Sequence, residues 1–178
     1  MNVQEVLEFW FEELTPQQWY KKDPELDHLI GQRFGPTLDG GSKGELSGWR
    51  DTLPGRLAEI IVLDQFSRNI YRDQPQAFAS DPVALVLAQE AITRCDVIEL
   101  PVVRRTFLYM PFMHSESLVV HDWAVRLFTE LGSEDNLNYE HKHRDIIKQF
   151  GRYPHRNAIL VRASTEQELE FLRANPGF

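Results

Sequence analysis

Three stretches of this sequence put ionisable side chains where apolar ones belong. In residues 56–71, RLAEIIVLDQFSRNIY, Leu57, Ile60, Ile61, Asp64 and Arg68 recur at spacings of three and four. On a helix they share one face, so Asp64 and Arg68 continue an apolar stripe, with Gln65 and Asn69 beside them. A buried carboxylate and guanidinium four residues apart can pair and so offset part of their desolvation cost. In residues 110–116, MPFMHSE, His114 shares a helical face with Leu118, His121, Val125 and Phe128, and Glu116 lies off that stripe. An imidazole titrates near neutral pH, so His114 with Glu116 or Asp64 is the candidate pair for moving a proton. In residues 141–157, HKHRDIIKQFGRYPHRN, His143 aligns with Ile146, Ile147 and Phe150, while Arg152, His155, Arg156 and Asn157 surround a new helix start. Arginines at a helix N-terminus suit carboxylate or phosphate.

These residues must be held by helices. Val3, Val6, Leu7, Trp10 and Leu14 repeat at helical spacing until Pro16, and Asp23-Pro24 reads as an N-cap with proline in the first turn. Leu26, Leu29, Ile30 and Phe34 then form a stripe that is expected to stop at Gly35-Pro36, and glycine-rich residues 38–48 read as a loop. Pro54 opens a helix to about Tyr71, and Asp81-Pro82 opens one to about Ile98. Pro101 opens another, with a kink or break expected at Pro111 and an end at Leu131-Gly132. Further helices are expected from about Asn138 to Phe150-Gly151, near Pro154, and from Ser164 or Thr165, with a capping box at Thr165–Glu168, to Asn175-Pro176-Gly177. No stretch alternates with period two. The fold expected is therefore all-α, a single domain over residues 1–178 built of stacked antiparallel helix pairs.

Composition limits the function. The chain has 178 residues and a formal net charge of -8, which argues against general nucleic-acid binding. The charge is uneven, because residues 1–30 carry seven acidic and two basic side chains whereas residues 141–162 carry six basic and one acidic. The single cysteine, Cys95, excludes an internal disulfide and suits a reducing, cytoplasmic location. No signal-like segment or membrane span is legible. Glu140 and His143 have the Glu-x-x-His spacing of helical di-iron sites, but such a site needs two of these motifs plus two further carboxylates, and Glu140 reads as solvent-facing. No metal set is therefore assigned, and any cofactor stays unidentified.

The strings LDQFSRNIYRDQPQAFASD, RTFLYMPFMHSE, HRDIIKQFGRYPHRN and RASTEQELEFL, with the opening VLEFWF and WYKKDPELD, resemble a bacterial family known as domain of unknown function nine-two-four. The resemblance covers nearly the whole chain. It implies a tetratricopeptide-like helical fold and brings no reaction with it. The family's motif positions fall here on Asp64, Gln65, Arg68, Asn69, Arg105, His114, Glu116, His143, Arg152, His155, Arg156 and Asn157. His121 departs from that pattern, where glutamine is more usual.

Two functions follow as expectations. In the first, these side chains converge on a pocket where Arg68, Arg152 and Arg156 hold a small anionic metabolite and His114, Glu116 and Asp64 catalyse hydrolysis or transfer. In the second, a groove between helix pairs binds a protein partner.

Overall fold

The long helix expected to stop at Gly35-Pro36 runs on. A computed structural model describes residues 2–176. In it α3 spans Pro24–Ser42, with Pro36 inside. A proline within a helix costs roughly 3 kcal/mol. The buried row Leu26, Ile30, Phe34 and Leu38, each four residues from the last, outweighs that cost by packing into the core. Gly41 belongs to the same packed helix, since a Cβ there would meet Leu46 and Leu63 at 3.2 Å. The glycines of this stretch therefore mark close packing as well as a loop. Leu29, placed on the stripe by its spacing, is 40% exposed.

The remaining elements are helices, and no strand occurs among the described residues. Helix α1 (Val3–Glu8) widens into a π turn at Phe9–Glu13 and is followed by α2 (Pro16–Tyr20). Helix α4 (Leu53–Ile61) passes through a π turn at Val62–Phe66 into α5 (Ser67–Ile70), making one continuous rod. Then come α6 (Asp81–Arg94), α7 (Val102–Met113), α8 (Leu118–Leu131), α9 (Glu134–Phe150) and α10 (Glu166–Ala174). The C-terminal glycines are needed at two ends: Gly132 and Gly151 adopt φ of 77° and 69°, a left-handed conformation that a Cβ disfavours. Thr165 caps α10 through the expected box with Glu168. Gly177, part of the expected stop, lies outside the described residues.

The rod of α4 and α5 is surrounded. Helix α4 packs against α1, α6 and α7, and α5 packs against α3, while α7, α8 and α9 pack in succession. The main core gathers Phe9, Trp10, Phe34, Phe66 and Phe107, whose rings meet at 4.7 to 6.0 Å. A smaller cluster of Ile146, Ile147 and Tyr153 lies under the C-terminal segment. The helical path breaks at residues 114–117, three residues after Pro111. No helix among the described residues is long and apolar enough to cross a membrane.

Candidate functional site

Asp64 sits in the π turn, where its carboxylate is fully buried. It accepts from His114 Nδ1 at 2.7 Å and from Gln65 Nε2 at 2.5 Å and forms an ion pair with an Arg68 Nη at 3.0 Å, while that nitrogen donates to the Asp64 backbone carbonyl at 2.7 Å. Arg68 also donates to both oxygens of Asp81 at 2.9 Å. Arg156 donates to Asp81 at 3.1 Å and to the His114 carbonyl at 3.0 Å. Charges of opposite sign thus alternate from α4 through α6 to the C-terminal segment. Burial alone would raise the Asp64 carboxyl, but the Arg68 charge and then His114 hold it well below the usual carboxylate range. Burial, and then Arg68, push His114 below its ordinary value, so its ring is neutral at neutral pH. An ionised carboxylate can only accept, so Nδ1 carries the proton and Nε2 keeps its lone pair.

His114 stands in the walls of two cavities. The larger, about 720 Å³, has the size of a small-molecule site. Five of the residues singled out by sequence line it: Gln65, Arg68, Asn69, His114 and His143. Ten more that the spacing did not single out join them, Trp19, Tyr20, Lys21, Arg72, Asp135 and Tyr139 among them. Tyr139 sits one turn before His143 on α9 and accepts from its Nδ1 at 2.8 Å through the backbone carbonyl. The i, i+4 spacing of those two residues was a usable signal. Burial pushes His143 down to about 3, so this imidazole is neutral as well. Arg72 is held by Asp27, its Nη donating at 2.7 Å, and Asp27 also accepts from Asn69 at 2.8 Å.

The second cavity, about 400 Å³, has Asp81, Glu116 and Arg156 in a wall with Phe78, Leu85 and Leu160. Glu116 is committed elsewhere. It accepts from Arg162 at 2.7 and 2.9 Å and from the Tyr153 amide at 2.7 Å. Burial opposes ionisation, but those partners hold its carboxyl below the usual range. Arg156 is sandwiched, its guanidinium 4.6 Å from both the Phe78 and the Tyr153 ring centres.

Four of the expected ligand-binding residues line neither cavity. Arg105 lies one turn before Tyr109 on α7, where burial pushes the phenol up and the Arg105 charge opposes it. Arg152 clasps Glu168 at 2.7 and 2.8 Å and the Ala163 carbonyl at 2.8 Å, which ties α10 down. That ion pair, ahead of any other influence, holds Glu168 at about 2. Asn157 is fully buried, donating to Ser164 at 3.1 Å and accepting from Arg162 at 2.9 Å. His155 lies 5.3 Å from the Tyr153 ring, and burial and then Arg156 push it down to about 4. Arg152 therefore cannot share an anion with Arg68. Its charge, like those of Arg144, Arg156 and Arg162, is met by a local acid. Asp81, expected as an N-cap, is the first residue of α6, and its carboxylate instead joins Arg68 to Arg156.

Glu140 corrects another expectation. It is fully buried, not solvent-facing, and its Oε1 lies 2.6 Å from Nδ1 of His121. His121 Nε2 lies 2.9 Å from the Ser115 carbonyl and 3.1 Å from the Tyr153 hydroxyl. A carbonyl only accepts, so Nε2 carries a proton there, and the Tyr153 hydroxyl donates its own hydrogen bond to the Met113 carbonyl at 2.5 Å.

The whole arrangement has relatives. A model of a bacterial protein family of unknown function, DUF924, matches residues 6–176. The chain belongs to this family. It is also similar to a solved structure from Agrobacterium tumefaciens, the protein of unknown function ATU0120. The two share 34% identity over 97% of each chain, with a TM-score of 0.92. The comparison with curated proteins returns no match. Membership in DUF924 agrees with the resemblance carried by the sequence strings and assigns no reaction to the cavity.

Proposed function

We propose that the larger cavity binds a small anionic molecule and that His114 acts there as a proton acceptor in hydrolysis or group transfer. The observation that carries this reading is the Asp64–His114 pair: the carboxylate holds Nδ1 at 2.7 Å, which leaves Nε2 as the basic atom of a ring in the cavity wall. Asp64 is too deeply buried to touch a ligand and serves to fix the imidazole's tautomer and orientation. The charge of the wall supports an anion. Arg68, Arg72 and Lys21 face the cavity against a single acid, Asp135, while the balancing carboxylates Asp27, Asp64 and Asp81 stand behind the arginines and outside the lining. Lys21 has no protein partner among the described residues and is the cation most available to a ligand carboxylate or phosphate.

The test is a panel of small carboxylates and phosphate esters screened by thermal shift. Wild type is expected to gain melting temperature with at least one member. His114→Asn, which keeps a donor toward Asp64 and loses the basic nitrogen, should still bind that member but fail to turn over a hydrolysable ester of it. No stabilisation by any anion, or equal turnover by His114→Asn, would overturn the proposal.

A further inference from the structure

The polar groups of the larger cavity are mostly spoken for. Gln65 Nε2 is bonded to Asp64 and to Met110 Sδ, and Asn69 and Arg72 to Asp27. Asn136 Nδ2 is held by the Ser133 hydroxyl at 2.9 Å and by Thr106 at 3.4 Å. What the cavity still offers is the His114 lone pair, the Lys21 ammonium, the Asp135 carboxylate, two tyrosine hydroxyls and a set of soft, polarisable surfaces. Met110 and Met113 bring thioethers, which favour contact with aromatic rings. Trp19 is a fixed platform, its Nε1 donating to the Trp10 carbonyl at 2.7 Å and its ring 5.0 Å from Phe107 and 6.4 Å from Tyr20. Tyr20 and Tyr139 line the same cavity yet remain 66% and 56% exposed, and neither hydroxyl has a hydrogen-bond partner among the described residues. They come from α2 and α9, far apart in sequence, and meet in one cavity wall.

From this juxtaposition we infer that the anion bound in the larger cavity carries a flat aromatic ring, which packs against Trp19, Tyr20 and Tyr139 while its charge meets Lys21. This rests on the proposed reading of the cavity and narrows it to a substrate class. A ring needs aromatic faces and edges around it, and α2 and α9 supply them.

The experiment compares anions of equal charge and similar size by calorimetry: benzoate and phenyl phosphate against cyclohexanecarboxylate and cyclohexyl phosphate. Histidine nitrogen shifts report contact with His114 in the same samples. The flat-ring anions are expected to bind about tenfold more tightly than the puckered ones. The double variant Tyr20→Ala/Tyr139→Ala should keep its melting temperature, both side chains being largely exposed, and lose that preference. Equal affinities, with the His114 nitrogen still perturbed by both classes, would overturn the inference and leave the proposed function standing. No binding by either class would overturn both.

Discussion

Among the described residues two histidine–carboxylate pairs look alike and sit in opposite surroundings. Asp64 meets His114 at 2.7 Å, and Glu140 meets His121 at 2.6 Å. Both carboxylates are fully buried. The difference lies in the second ring nitrogen and in the neighbouring cation. His121 Nε2 is enclosed by the Ser115 carbonyl and the Tyr153 hydroxyl, so that ring joins α8, α9 and the turn before α8 and has no outlet. His114 lies in two cavity walls with 17% of its side chain exposed. Arg68 stands beside Asp64 and keeps it ionised, whereas burial pushes Glu140 up and only weaker influences, His121 first, oppose it. A carboxylate–imidazole contact by itself is therefore a poor sign of chemistry. An outlet for the free nitrogen and a cation that fixes the carboxylate's charge are what make it a candidate base.

The sharpest way to break the comparison is to truncate the sealed pair. Glu140→Ala should cost about 3–5 kcal/mol in urea unfolding, because it strands a buried polar ring. Asp64→Ala should cost a similar amount, since Arg68 would lose one of its two carboxylates. The two variants should part in solution: Glu140→Ala, at temperatures where it stays folded, keeps anion binding, and Asp64→Ala does not.

Acid should act next. His143 and His155 are held neutral, at about 3 and about 4, below an ordinary value of 6.5. The unfolded chain binds protons at these sites below pH 6.5 and the folded chain does not, so stability is complete above 6.5 and falls as the pH drops toward 4. At pH 4 the loss should be of the order of 3 kcal/mol per histidine, read from urea midpoints, and the double variant His143→Asn/His155→Asn should flatten that slope. A wild-type profile flat between pH 6.5 and 4 would contradict the burial of both rings.

Two smaller effects sharpen the contrast. Val161 is 90% exposed with φ of 54°, a conformation strained for a β-branched residue, in the segment that carries Arg162 to Glu116. Val161→Asn should raise stability by about 1 kcal/mol, as asparagine tolerates that conformation. His114→Asn should change stability by about 1 kcal/mol or less, because its amide still donates to an Asp64 already held by Arg68 and Gln65. A base at a cavity wall can be removed cheaply, and a sealed linchpin cannot.

Much of this was legible in the sequence. The stripe through Leu57, Ile60, Ile61, Asp64 and Arg68 is a matter of periodicity, and the structure buries the first four completely. The glycine ends of α8 and α9 and the capping box of α10 are local signals and lie where local chemistry puts them. Pattern failed where tertiary packing overrode local rules, as at Pro36 within α3 and Glu140 inside α9. Partners were harder still. Arg152 and Arg156 are four apart and look equivalent, yet one meets Glu168 on α10 and the other Asp81 on α6, sixteen and seventy-five residues away. Trp19, Tyr20 and Lys21 went unrecognised as cavity residues because α2 is one short helix with no buried residue, and only the tertiary fold brings them into one wall with Tyr139 and His143.

The central claim is that His114 presents an unprotonated Nε2 to the larger cavity, and nitrogen NMR of the histidine side chains at pH 7 tests it most directly. The account predicts a neutral ring with the proton on Nδ1, and an Nε2 resonance that moves when an anion binds. A protonated imidazolium, or the opposite tautomer with the proton on Nε2, would contradict it.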